Sequence, residues 1–171
     1  MLRLFLIATF LLPILGGSAD AQALKVGSKA PDFRLRDRQQ SLFRFSRFSA
    51  GKVVVVDFFR TDCAPCIKSL AVLKKLHHDL RANKKVRFLL IALLEDNKGG
   101  GKLDALLKRH HLPFPVVVDA YGSVAKKFIA KGNSVQLPSL FVIDKKRHVR
   151  WRHTELLRDT KAIAAAIHKL L

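Results

Sequence analysis

Two cysteines, Cys63 and Cys66, stand in the stretch "RTDCAPCIKS" and are the only ones in the chain. Thiols at this spacing can carry a haem, supply half of a metal site, form a fixed staple, or open and close as a redox couple. Haem attachment needs histidine directly after the second cysteine, and that position is Ile67. A structural zinc site needs four ligands. The nearest histidines, His77 and His78, are adjacent to each other and about three helical turns away, so no metal is expected. A static staple stays open as an alternative, although closing so small a loop restrains an unfolded chain little. The redox couple fits the surrounding residues best.

Those surroundings begin with "KVVVVDFF", a continuous apolar, β-branched run that reads as a strand buried on both faces. From Ala64 to about Ala82, Ile67, Leu70, Ala71, Leu73, Leu76 and Leu80 recur at helical spacing. Pro65 falls in the first turn of that helix, where its missing N–H leaves nothing unpaired. Cys63 is therefore expected at a helix N-terminus, where free N–H groups and the dipole favour a thiolate. Cys66, one turn further in, should be more buried. The asymmetry makes Cys63 the attacking sulfur and Cys66 the resolving one. Asp57 lies inside the same apolar run, six residues before Cys63. Buried there, it would hold its proton more tightly and could exchange it with Cys66. The alternative is that Asp57 only marks an exposed strand end.

The other elements must hold this site in place. "DFRLRD" and "SLFRFSRF" predict an opening hairpin of two strands. "VRFLLIALL" reads as a second buried strand, followed by a helix in "GGGKLDALLKRHH" and a short strand in "FPVVVD". "AYGSVAKKFIA" predicts a helix, "LPSLFVID" and "HVRWRH" two strands about a polar turn, and "DTKAIAAAIHKLL" a closing helix with Asp159 near its start. Strands alternating with helices and ending in a hairpin give an α/β class, with a mixed central sheet, helices on both faces and the two apolar strands in the middle.

At 171 residues the chain has room for one domain. Residues 1–23 read as a signal peptide and 24–171 as the domain. Arg3 precedes an uncharged apolar run from Leu4 to about Leu15, helix breakers follow, and Ala19, Ala21 and Ala23 offer cleavage sites. An uncleaved membrane anchor is the alternative, and the run is short for one. The expected location is periplasmic or secreted. The net charge of +19 comes from bases spread along the chain, with no nucleic-acid-binding motif among them. No nucleic-acid role is expected, whereas an acidic protein or an anionic membrane surface would be attracted. Arg34, Arg36 and Arg38 alternate with apolar residues and predict one cationic strand face.

These residues resemble the thioredoxin superfamily, in particular the exported TlpA/ResA-like thiol–disulfide oxidoreductases. The likeness runs from about Val26 to Leu171, through "VGSKAPDFRLRD", "VVVVDFFRTDCAPC", "VRFLLIALLED", "PFPVVVDAYGSVAKKF" and "LPSLFVID". It implies a thioredoxin-like fold and a Cys63–Cys66 couple with no cofactor. Asp57 and Glu95 would give acid–base support. Leu137–Pro138 would be a cis peptide facing the cysteines, with Leu137, Pro138 and Pro65 shaping the substrate groove. It also implies protein thiols or disulfides as substrates, reduction as the direction, a membrane electron donor and a link to cytochrome c maturation. The chain departs from the family around Phe59-Arg60-Thr61-Asp62, where a tryptophan is usual and where Asp62 sets a negative charge beside Cys63. Two other readings stay open. One is a peroxiredoxin-like thiol peroxidase, against which Arg60 stands where Thr or Ser would be required. The other is a non-enzymatic binding module for an acidic partner.

Overall fold

The computed structural model describes residues 22–94 and 100–171. The expected signal segment up to residue 21, and Glu95, lie outside the described residues.

The opening hairpin pairs β1 (Arg34–Asp37) with β2 (Leu42–Arg44), placing Arg34 opposite Arg44 and Arg36 opposite Leu42. The expected second strand ends early. From Phe45 the chain turns into a short helix, α1 (Phe45–Ser49), so the "SLFRFSRF" reading is corrected there. Phe45 and Phe48 are three apart, which puts both rings on one side of a helical turn. The carboxylate of Asp32 accepts a hydrogen bond from the Ser46 N–H at 2.7 Å, satisfying a donor that α1 leaves free.

The chain then runs through β3 (Val53–Arg60), α2 (Ala64–Leu80), β4 (Val86–Leu93), α3 (Gly100–His110), β5 (Val116–Asp119) and α4 (Ser123–Ile129). A small hairpin follows, β6 (Ala130–Lys131) and β7 (Ser134–Val135), turning at Gly132 with φ 57°. It sits in "AKGNSV", which carries no alternating apolar signal. Then come β8 (Ser139–Ile143), β9 (Val149–His153) and α5 (Lys161–His168). Asp159 accepts from the Lys161 N–H at 2.9 Å and so opens α5 as its position suggested.

The seven-stranded sheet has the order β2-β1-β5-β4-β3-β8-β9. β3 runs parallel to β4 and antiparallel to β8, with its side chains buried from Val53 to Phe59. Successive side chains point to opposite faces. Val53, Val55 and Phe59 pack with residues of α2, α3 and α5, whereas Val54, Val56 and Phe58 pack with Phe45 and α4. This is the expected mixed α/β architecture with helices on both faces.

Candidate active site

β3 ends at Arg60, and three residues later Cys63 caps α2 with extended backbone, its N–H bonded to the Arg60 carbonyl at 3.1 Å. Cys63 and Cys66 form a disulfide, S–S 1.99 Å, with Cα atoms 5.2 Å apart. The Cys66 N–H points at the Cys63 sulfur at 3.3 Å, so a first-turn amide already faces the atom that would carry thiolate charge. Cys63 is half-buried and Cys66 fully buried, the asymmetry expected from one helical turn. Pro65 is exposed in the first turn. Ser69 donates to the Pro65 carbonyl at 2.9 Å and accepts from the Leu157 N–H at 3.0 Å, tying this turn to the segment before α5. Asp62, which sets its negative charge beside Cys63, is engaged by Arg60, Nε to Oδ1 2.6 Å. Both side chains are well exposed, so the pair tempers the charge without burying it.

Asp57 is not at an exposed strand end. It is 3% exposed, paired in register with Leu90 on one side and Leu140 on the other. Strand alternation puts it on the face that carries Val55 and Phe59, beneath α2 and in the layer that holds Cys66. Its Oδ2 is buried with no hydrogen-bond partner. Burial pushes the carboxyl well above the usual carboxylate range.

The third part of the site is Leu137–Pro138, a cis peptide. Ser139 follows it and pairs with Phe58, so the cis bond lies at the end of β3 where the chain turns toward the cysteines. Leu137 packs against the same core as Cys63 and Cys66. The structure thus brings Asp57, Cys63, Cys66, Pro65, Leu137 and Pro138 to one end of the sheet. Three residues here were not singled out from the sequence: Ser69, Gln136 and Arg152. None carried a sequence signal: alternation in "HVRWRH" would set Arg152 outward with Arg150, and the irregular register between β8 and β9 brings it opposite Phe141 instead.

A protein-family model described as Redoxin matches residues 25–167. The thiol–disulfide oxidoreductase ResA of Geobacillus kaustophilus is 32% identical over 130 residues, 75% of this chain and 68% of that protein. A Chlorobium tepidum structure assigned as the thiol:disulfide interchange protein DsbE shares 26% identity with a TM-score of 0.74, covering 86% of this chain and 99% of that one. StoA of Bacillus subtilis, at 16% identity and a TM-score of 0.65, shares the fold. With the paired cysteines at a helix N-terminus, the match to the family model and these relatives, the chain belongs to the redoxin family, as a TlpA/ResA-like thiol–disulfide oxidoreductase of thioredoxin fold.

Proposed function

We propose that the protein works outside the cytoplasm as a reductase of protein disulfides. The observation that carries this reading is the Cys63–Cys66 pair at the N-terminus of α2, with the unpaired Asp57 carboxyl in the layer beneath it. In the reduced protein the Cys63 thiolate attacks a substrate disulfide, forming a Cys63–substrate mixed disulfide and releasing one substrate thiolate, which takes a proton. Asp57, ionised at that moment, takes the proton from the Cys66 Sγ–H. The Cys66 thiolate then attacks the Cys63 sulfur, closes the internal disulfide and releases the second substrate thiolate, which is protonated in turn. Two electrons pass from the dithiol to the substrate, and a membrane dithiol donor restores the pair. A carboxyl whose proton affinity is raised by burial is a stronger base than an exposed one, which suits a group that takes and returns the Cys66 proton. Leu137, next to the cis peptide, offers its backbone to an extended substrate segment. Glu95 is proposed as a second acid–base group on the resemblance alone. The apolar run of residues 4–15 supports export, and apocytochrome c, with its cysteines oxidised to a disulfide, is the substrate that the resemblance suggests.

The experiment is the equilibrium potential of the Cys63–Cys66 couple, titrated against dithiothreitol and followed by thiol alkylation. A value near that of thioredoxin, about −270 mV, is expected. A value near about −120 mV would replace the reductase with a disulfide donor. No reversible couple would leave only the binding module.

The cationic face of β1 and β2 supports a membrane partner. Arg34 and Arg44 stand directly opposite each other and exposed, with Arg47 close by in the chain, and beside them Leu42 is 63% exposed. Like charges facing across a ladder repel, and an anionic bilayer would relieve that repulsion while accepting the apolar side chain. Replacing both by glutamine (Arg34→Gln, Arg44→Gln) should weaken adsorption of the full chain to phosphatidylglycerol vesicles about tenfold at low salt. Unchanged adsorption would move the partner from lipid to an acidic protein.

A further inference from the structure

The backbone around the cis peptide is held at both feet. On one side, Gln136 is bound three ways: its N–H donates to the Ile129 carbonyl at 2.9 Å, its carbonyl accepts from Ser139 Oγ at 2.9 Å, and its Oε1 accepts from Arg152 Nη2 at 3.0 Å. On the other side, Ser139 is fully buried and locked into the sheet opposite Phe58. Between these anchors, Leu137 forms no hydrogen bond with another described residue, which leaves its main chain open to a partner strand.

Arg152 is a costly way to hold Gln136. It stands on β9 opposite Phe141, its guanidinium 5.8 Å from the ring centre, and no carboxylate pairs with it among the described residues. Its Nε is buried without a partner. An apolar side chain of similar length would cover Phe141 with no unpaired donor and no desolvated charge. Apart from its cation–π contact with Phe141, what the charged head supplies here is the bond to Gln136.

We infer that Gln136 and Arg152 are positioning residues for the substrate groove, fixing the arch that presents the Leu137 main chain to an incoming disulfide-bearing segment. The inference rests on the reading of Leu137 as the substrate-pairing residue. It deepens that reading by assigning the groove's geometry to a side-chain clamp that spans β9 and the residue before the cis peptide. A small dithiol has no extended segment to pair, so its exchange with Cys63 does not depend on the clamp.

The test uses the full chain and its Gln136→Ala, Arg152→Met and Arg152→Lys variants. Insulin is the protein disulfide, and the reduction of the Cys63–Cys66 bond by dithiothreitol is the control. The KM for insulin should rise about five- to tenfold in Gln136→Ala and Arg152→Met, because a slack arch meets the substrate in many geometries. The kcat, the dithiothreitol rate and the redox potential should stay within about twofold, and Arg152→Lys should recover part of the loss by keeping a donor. The double variant should be no worse than either single one, since both remove one contact. Arg152→Met should melt no lower than the unaltered chain. An unchanged KM would overturn the inference. So would a lower melting temperature with kcat, KM and potential all shifted together, which would make the clamp merely structural. Absence of insulin turnover by the unaltered chain would overturn the reductase reading itself, and is told apart because it precedes any substitution.

Discussion

Cys63→Ser should reduce insulin turnover to background, a loss of about a thousandfold or more, because the variant has no sulfur that both reaches solvent and sits among free helix amides. Cys66 remains in that variant but is fully buried one turn inside α2. Cys66→Ser should behave differently. Its Cys63 can still attack, but nothing resolves the product, so a Cys63–substrate mixed disulfide should accumulate to about one per chain. Non-reducing electrophoresis with mass spectrometry of the trapped adduct reads both results. Trapping in Cys63→Ser with none in Cys66→Ser would exchange the two roles. Full turnover in Cys63→Ser would remove this pair from catalysis altogether.

Asp57→Asn should slow the resolution step, the attack of Cys66 on the mixed disulfide, by about a hundredfold, as loss of a general base does. The attack of Cys63 on a substrate should be much less affected. Rapid-mixing measurements between mildly acidic and mildly basic pH separate the steps. The unaltered protein should resolve faster as Asp57 ionises, and the variant should lose that dependence. Equal rates and equal pH profiles would free Asp57 of any proton-transfer role. Stability should move in the opposite direction to activity. Asp57 binds its proton more tightly when folded than when unfolded, where a carboxyl titrates at about 3.9. As pH rises past that value the unfolded chain releases the proton while the folded one keeps it, so stability falls until pH passes the raised folded value. Asparagine removes the titration. The variant should therefore melt higher than the unaltered protein near neutral pH, with the gain shrinking as pH falls toward about 4. A gain that does not change with pH would mean that the buried Oδ2 has found a partner for its charge.

Much of this site was legible because its parts leave local marks. The run Val53–Phe59 could only be a central strand, and one carboxyl inside it had to be either displaced to an end or buried. Cys63 and Pro65 mark the start of α2 by chemistry that depends on neighbours in sequence. The cis state of Leu137–Pro138 was different: a proline at a strand start favours trans, and only the resemblance suggested otherwise. What stayed hidden depends on contacts between distant segments. The cap that turns Phe45–Ser49 into a helix comes from Asp32, fourteen residues before Ser46. The pairing of Gln136 with Arg152 joins residues sixteen positions apart. Ser69 looks like an ordinary helical serine until Leu157, 88 positions later, donates to it. The small hairpin β6–β7 has two residues in each strand, too few for alternation to show.

The arginine pair on the opening hairpin bears on how copies of this chain behave toward one another. β2 is an outermost strand of the sheet, and an outermost strand carries main-chain groups that a second sheet could pair with. Here that strand is three residues long, its partner strand β1 carries Arg34 directly across from Arg44, and α1 begins at the next residue. A second copy adding at this border would meet a short ladder and bring its own Arg44 toward the first. β9, at the other border, is covered at its start: Val149 donates to the Ser28 carbonyl at 2.9 Å and accepts from the Gly27 N–H at 2.8 Å. The β2 border is thus short and cationic and the β9 border partly covered, so neither is easily extended by a second copy, which guards the chain against strand-by-strand self-assembly.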